Sequence, residues 1–126
     1  MQPSDTIYGH FRENWSKAKD EAERALAAVA KAQGLTFYGE LAGQISSITF
    51  DPHGYDFHHF LGELSTESDA AGAGMISALV RLKDGDQLPG PGFFTLAKKL
   101  GRDTSDCVKC WSEEVQRVHN AAAVRR

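Results

Sequence analysis

Cysteine is scarce in this chain, and so is any excess of positive charge. Only two cysteines occur, Cys107 and Cys110, too few for a disulfide-stapled fold and in keeping with a reducing compartment. Fourteen Lys and Arg face seventeen Asp and Glu, a net charge of −3 with histidine neutral. A mildly acidic chain has no global attraction for phosphate, so nucleic-acid binding would have to rest on a local basic patch. No window reaches the ~18 apolar residues of a membrane-spanning helix, and the opening MQPSDTIYGH has neither the basic nor the apolar region of a secretory signal. The expectation is a cytoplasmic protein with no membrane partner. Also missing are a Gly-x-Ser-x-Gly elbow, a P-loop, a Rossmann glycine fingerprint and a His-Glu-x-x-His motif. These absences argue against the common hydrolase, nucleotide and metalloprotease chemistries, and no cofactor or metal is expected.

What the chain does have is a balance of 41% hydrophobic and 25% charged residues over 126 positions, which suits one soluble domain with one core. Its organising stretch runs from Gly74 to Gly101. There Met75, Ile76, Ala78, Leu79, Val80 and Leu82 make an apolar run of strand length, while Phe93, Phe94, Leu96, Ala97 and Leu100 fall at helical spacing. A Pro-Gly-Pro-Gly connection at 89–92 joins a buried strand to a buried helix.

Upstream, Tyr8, Phe11, Trp15, Ala18, Ala22, Ala25, Val29 and Ala32 recur at steps of three and four. This predicts one long amphipathic helix over residues 5–33, about 43 Å long, capped by Ser4 or Asp5 and ended by Gly34 at the left-handed position. The alanines leave room for a close neighbour, either the chain's own core or a second copy in a homodimer. A short helix is expected over Tyr38–Ser47, a turn at Asp51-Pro52-His53-Gly54, and a second short helix over Tyr55–Leu64. Residues 65–74, STESDAAGAG, read as a flexible loop. An Asp-Gly reversal at 83–86 follows the strand, with at most a ragged ribbon beyond it. A last helix is expected from an N-cap among 103–106 to about Ala122, with Cys107, Val108, Trp111, Val115, Val118 and Ala122 on one face and a frayed VRR tail.

Three groups of residues invite a functional reading. Cys107-x-x-Cys110 has redox or zinc spacing, but no strand precedes it, and His119 lies ~180° from Cys110 on the helical wheel. Two core-facing or half-buried thiols are expected instead. His53, His58 and His59 beside Asp56 offer a general base or metal ligands. Adjacent histidines on a helix point ~100° apart, so one is expected at the core edge and one in water. Finally Gly90, Gly92 and the amides of Phe93 and Phe94 open a helix, where backbone donors and the dipole favour an anion. Arg81, Lys83, Lys98, Lys99 and Arg102 form the basic cluster of the second half.

Several of these pieces resemble the winged helix-turn-helix half of alkylguanine DNA alkyltransferases and alkyltransferase-like proteins. The residues concerned are Tyr38, Gly39, Glu40, Leu41 and Ala42, then Phe60, Leu61 and Gly62, then Ile76 to Gly85. Where that family has Pro-Cys-His-Arg, this chain reads Ile76, Ser77, Ala78, Leu79, which excludes alkyl transfer. Where the family has a basic recognition helix, this chain has Tyr55, Asp56, Phe57, His58, His59. The run SALV with PGPGFFTLAKKLGR is also similar to an uncharacterised bacterial domain associated with phage and defence neighbourhoods.

The expected fold is therefore α+β and mainly helical: a long helix (5–33), a winged-helix-like core (35–102) holding a short strand or ribbon, and a C-terminal helix (103–126). The leading functional expectation is a non-enzymatic interaction module that self-associates through Tyr8, Phe11, Trp15, Ala18 and Ala22 and holds a macromolecular partner, expected to be a protein, at the wing and the Pro-Gly-Pro-Gly surface. One alternative is a nucleic-acid binder using Arg81, Lys83, Lys98, Lys99 and Arg102 around Gly90, Gly92 and Phe93. The other is a small enzyme or ligand-binding protein built on the histidines.

Overall fold

The first strands of the described residues form a hairpin where a helix was expected. In a computed structural model, which describes residues 5–124, β1 (Thr6–Ile7) pairs antiparallel with β2 (His10–Phe11). The two turn residues both have positive φ, 51° at Tyr8 and 81° at Gly9, the combination a tight two-residue hairpin requires. Holding Tyr8 there costs roughly 1–2 kcal/mol, which its ring contacts offset. The helix α1 therefore starts at Arg12 and runs to Lys31; Ser4, the other expected cap, lies outside the described residues.

Along α1 the buried face is Trp15, Ala18, Ala22, Leu26 and Ala30. Ala18, Ala22 and Leu26 are fully buried, because the alanines let α5 and the segment around residue 78 approach closely. The helix is the centre of the molecule and its small-residue stripe is used internally. It ends at Gln33, not Gly34, in the left-handed conformation (φ 57°). Gly34 N–H donates to the Val29 carbonyl at 2.9 Å and Gln33 N–H to Ala30 at 3.0 Å, a Schellman closure. The Gln33 side chain secures it by reaching the His119 carbonyl.

A two-residue strand β3 (Thr36–Phe37) leads into α2 (Tyr38–Gly43), shorter than the helix predicted to Ser47. The loop that follows buries Ile45, Ile48 and Phe50. Glu21 of α1 pins it by accepting hydrogen bonds from the Ser46 and Ser47 amides at 3.1 and 3.0 Å. The Asp-Pro turn forms as expected, with Gly54 N–H on the Asp51 carbonyl.

The next helix, α3, spans Tyr55–Ala70, six residues past the predicted end and through half of the supposed loop. Its small polar residues are structural partners. Ser65 is fully buried; it hydrogen-bonds the Ser77 hydroxyl and accepts the Ser77 amide at 2.9 Å. Ser68 donates to the Gly74 carbonyl and accepts the Ile76 amide.

These contacts explain the largest departure from expectation. Ile76–Leu79 is a 3₁₀ turn and only β4 (Val80–Arg81) is extended, pairing parallel with β3 in the register Thr36↔Val80, Phe37↔Arg81. A buried amide needs a partner but not a neighbouring strand. Here Met75 N–H goes to Glu114, Ile76 N–H to Ser68 and Ser77 N–H to Ser65, while the Ala78 carbonyl takes the Trp111 indole. Met75, Ala78, Leu79 and Val80 are all fully buried, so the segment is core as predicted although not sheet.

Helix α4 (Pro91–Lys99) has proline in its first turn and ends at Gly101, φ 92°. Helix α5 (Cys107–Val124) starts on Asp106, whose carboxylate accepts the Lys109 amide. Its buried residues are Cys110, Glu114 and Val118. Cys107 and Val108, in the first turn, face solvent, against expectation. The architecture is α+β and mainly helical: five helices and two small two-stranded pairings among the described residues.

Candidate functional site

The expected anion site at the start of α4 is largely occupied by its own structure. Gly90 N–H donates to the Tyr38 hydroxyl at 2.9 Å, Pro91 has no N–H, and Phe93 N–H closes onto the Gly90 carbonyl. Gly92 is exposed while Gly90 and Phe93 are buried. Burial raises the Tyr38 phenol above its usual pKa, with the Gly90 amide pulling the other way. The His58 ring lies 4.9 Å from that of Tyr38.

The basic cluster is not brought together there. Arg102 is held internally: its guanidinium forks onto Glu114 with both contacts at 2.9 Å and also binds Asp69. Arg81 lies over the Phe37 ring, 4.5 Å from its centroid, with Nε buried and unpaired. Lys83, Lys98 and Lys99 are exposed, but Lys98 and Lys99 close the last turn of α4, about 10 Å along the axis from Pro91.

Glu114 is the most deeply buried charge, with no exposed surface. Burial works against its ionisation, but Arg102, the Met75 amide and Arg117 outweigh that and hold its pKa below the usual range. Asp69 and Glu114 in turn keep Arg102 protonated. This cluster fastens α3, the segment around Met75 and α5 together, with Glu114 itself enclosed.

The histidines divide as the helical angle predicts. His58 turns toward Tyr38, and exposed His59 meets the Tyr55 hydroxyl at 3.1 Å. His53 is exposed, while His10, from the hairpin, binds Asp56 at 2.8 Å. No group of three or more His, Cys, Asp or Glu among the described residues is arranged to hold a metal. Cys107 is exposed and Cys110 buried; burial pushes the Cys110 thiol pKa up.

What the structure does assemble is an aromatic face. Tyr8, at the hairpin tip, lies 5.8 Å from Tyr55, 4.9 Å from His59 and 5.9 Å from Trp15. Tyr8 is 47% exposed, Phe11 48% and Tyr55 72%. Behind them Trp15 packs edge-on against Phe60 at 5.2 Å, and Phe50 meets Phe57 at 5.0 Å, so the surface rings rest on a rigid aromatic core. Of the five residues expected to form a self-association stripe, Tyr8 is on this face and Phe11 is exposed at the end of β2, whereas Trp15, Ala18 and Ala22 are buried beneath the face or along α1. Tyr55 was no part of the expected site, since nothing local in the sequence places it against a residue 47 positions away.

Beside this face lies a cleft between α1 and α3, lined by Ile7, Trp15, Asp20, Glu23, Glu63 and Glu67, with Arg12, Ser16 and Lys19. Trp15 Nε1–H donates to Glu63 Oε2 at 2.7 Å, and Lys19 pairs with Glu67. Partial desolvation, then Tyr55 and Glu63, raise the Tyr8 phenol pKa. No helix among the described residues is long and apolar enough to cross a membrane. No known protein family matches the chain, and comparison with curated proteins and with solved structures finds no significant similarity.

Proposed function

We propose that the protein is a non-enzymatic interaction module that grips a protein partner through the aromatic face of Tyr8 and Tyr55. The observation that carries this is their exposure in one place: both are among the five exposed large hydrophobics of the described residues, and their rings lie 5.8 Å apart. Aromatic side chains enrich the buried centres of interfaces because they bring large area at low entropic cost. These rings are already braced by Trp15 and His59, so little ordering remains to be done on binding.

The winged-helix resemblance of residues 35–85 fits the same reading. It would make α3 the recognition helix, and α3 carries Asp56, Glu63, Glu67 and Asp69 with no Lys or Arg. Such a helix repels a phosphate backbone and suits a protein surface. Of the stripe expected to self-associate, only Tyr8 and Phe11 remain at the surface, since Trp15, Ala18 and Ala22 are enclosed.

Affinity capture from the host cell, with quantitative identification of bound proteins, tests this. The variant Tyr8→Asn with Tyr55→Ala keeps the hairpin foldable, because Asn tolerates positive φ. It should lose at least ten-fold in captured partner, whereas Lys98→Glu with Lys99→Glu should retain it. Retention by the aromatic variant, or loss only in the lysine variant, would refute the proposal.

A further inference from the structure

Resting on that reading, we infer that the partner presents a short extended segment bearing lysine or arginine, seated along the cleft between α1 and α3 with its cations against Tyr8 and Tyr55 and the adjacent carboxylates.

Charge complementarity selects this occupant. The cleft is lined by four carboxylates, Asp20, Glu23, Glu63 and Glu67, and two cations, Arg12 and Lys19. Lys19 is already engaged with Glu67, while Asp20 and Glu23 are exposed and have no ion pair among the described residues. The negative charge left over is therefore greatest at the end of the cleft away from the hairpin. Glu63 joins the two regions: its Oε2 takes the Trp15 indole N–H, and Trp15 in turn packs against the Tyr8 ring. A cation seated beside Glu63 meets a carboxylate next to exposed aromatic rings, a setting in which cation–π attraction and ion pairing reinforce each other.

Dimensions select a short segment. From Trp15 to Glu23 is about 12 Å along α1 at 1.5 Å per residue, and the Tyr8 ring lies 5.9 Å from that of Trp15. An extended chain at about 3.3 Å per residue covers that path with five or six residues. Anionic partners, whether nucleic acid or acidic lipid, would meet more carboxylates than cations along the path.

The test uses the full chain and two probes, acetyl-hexaarginine-amide and acetyl-hexaglutamate-amide, followed by the NMR shift of the Trp15 indole N–H and by calorimetry at physiological salt. Hexaarginine should bind one-to-one and move that resonance, and hexaglutamate should do neither. Asp20→Asn with Glu23→Gln should weaken hexaarginine at least ten-fold, and Tyr55→Ala several-fold. Asp84→Asn with Asp86→Asn removes the same charge from a loop that does not line the cleft, and should change affinity less than two-fold. Equal loss in both charge-removing pairs would mean diffuse attraction and overturn the inference, as would an unmoved indole resonance. If hexaarginine fails to bind while the Tyr8 and Tyr55 double variant still strips partners from the host-cell capture, the aromatic face stands and the basic segment falls. If it fails and sedimentation shows a dimer that the same variant dissociates, the occupant is a second copy. Failure of both the probe and the capture experiment removes both proposals.

Discussion

Replacing Glu114 by glutamine should cost this protein about 3 kcal/mol of stability. The wild-type carboxylate accepts the Met75 amide at 2.8 Å, two nitrogens of Arg102 at 2.9 Å each, and Arg117. Hydrogen bonds to charged groups are worth about 1.5–3 kcal/mol each. Glutamine keeps the shape and one acceptor oxygen, so the Met75 amide stays satisfied. Its NH₂ then faces an Arg102 N–H, donor against donor, and the pair loses its ionic component. Arg102 retains Asp69, so it is not left wholly uncompensated, which places the loss near the lower end of the ~3–5 kcal/mol typical of breaking a buried pair. For a chain of this length about 3 kcal/mol corresponds to a Tm lower by roughly 10–15 °C. Urea unfolding followed by far-ultraviolet circular dichroism measures it, and the m-value should be unchanged. A loss under about 1 kcal/mol would refute the view that this carboxylate organises the fold.

Two more predictions follow from the same geometry. Ser65→Ala leaves the Ser77 amide and hydroxyl without their buried partner and should destabilise by about 1–3 kcal/mol, read from the same urea curves; a neutral effect would mean water substitutes there. Glu21, whose pKa is lowered to about 2 by its bonds to Ser46 and Ser47, binds fewer protons folded than unfolded between pH ~4.5 and 2. Its contribution is therefore complete above pH ~4.5 and is lost as the pH falls toward 2, and Glu21→Gln should flatten that part of the stability profile. An unchanged profile in the variant would show that another carboxylate carries the acid sensitivity.

The sequence was informative wherever structure is set by neighbours in the chain. The turn at Asp51-Pro52, the end of α4 at Gly101, the burial of 75–80 and the divergence of His58 and His59 all follow from local chemistry. It was silent where the partner is remote. Ser65 and Ser68 look like loop residues until the amides of Ile76 and Ser77 need them, and α5 presents Glu114 inward only because Arg102 and Met75 await it. The hairpin was missed because Tyr-Gly is an unusual dipeptide for a turn that favours Asn-Gly, and Tyr8 and Phe11 also continue the spacing of α1. With the hairpin went the candidate face, since Tyr8 meets Tyr55 only once the first strands fold back on α3.

The dependence of residues 75–78 on side chains from both directions has a consequence for synthesis. Their amides are met by α3, already made, but also by Glu114, and the Ala78 carbonyl by Trp111. A chain emerging from the ribosome therefore cannot seat residues 75–78 until α5 has been translated as well. A nascent chain stalled before α5 displays unsheathed greasy backbone to chaperones.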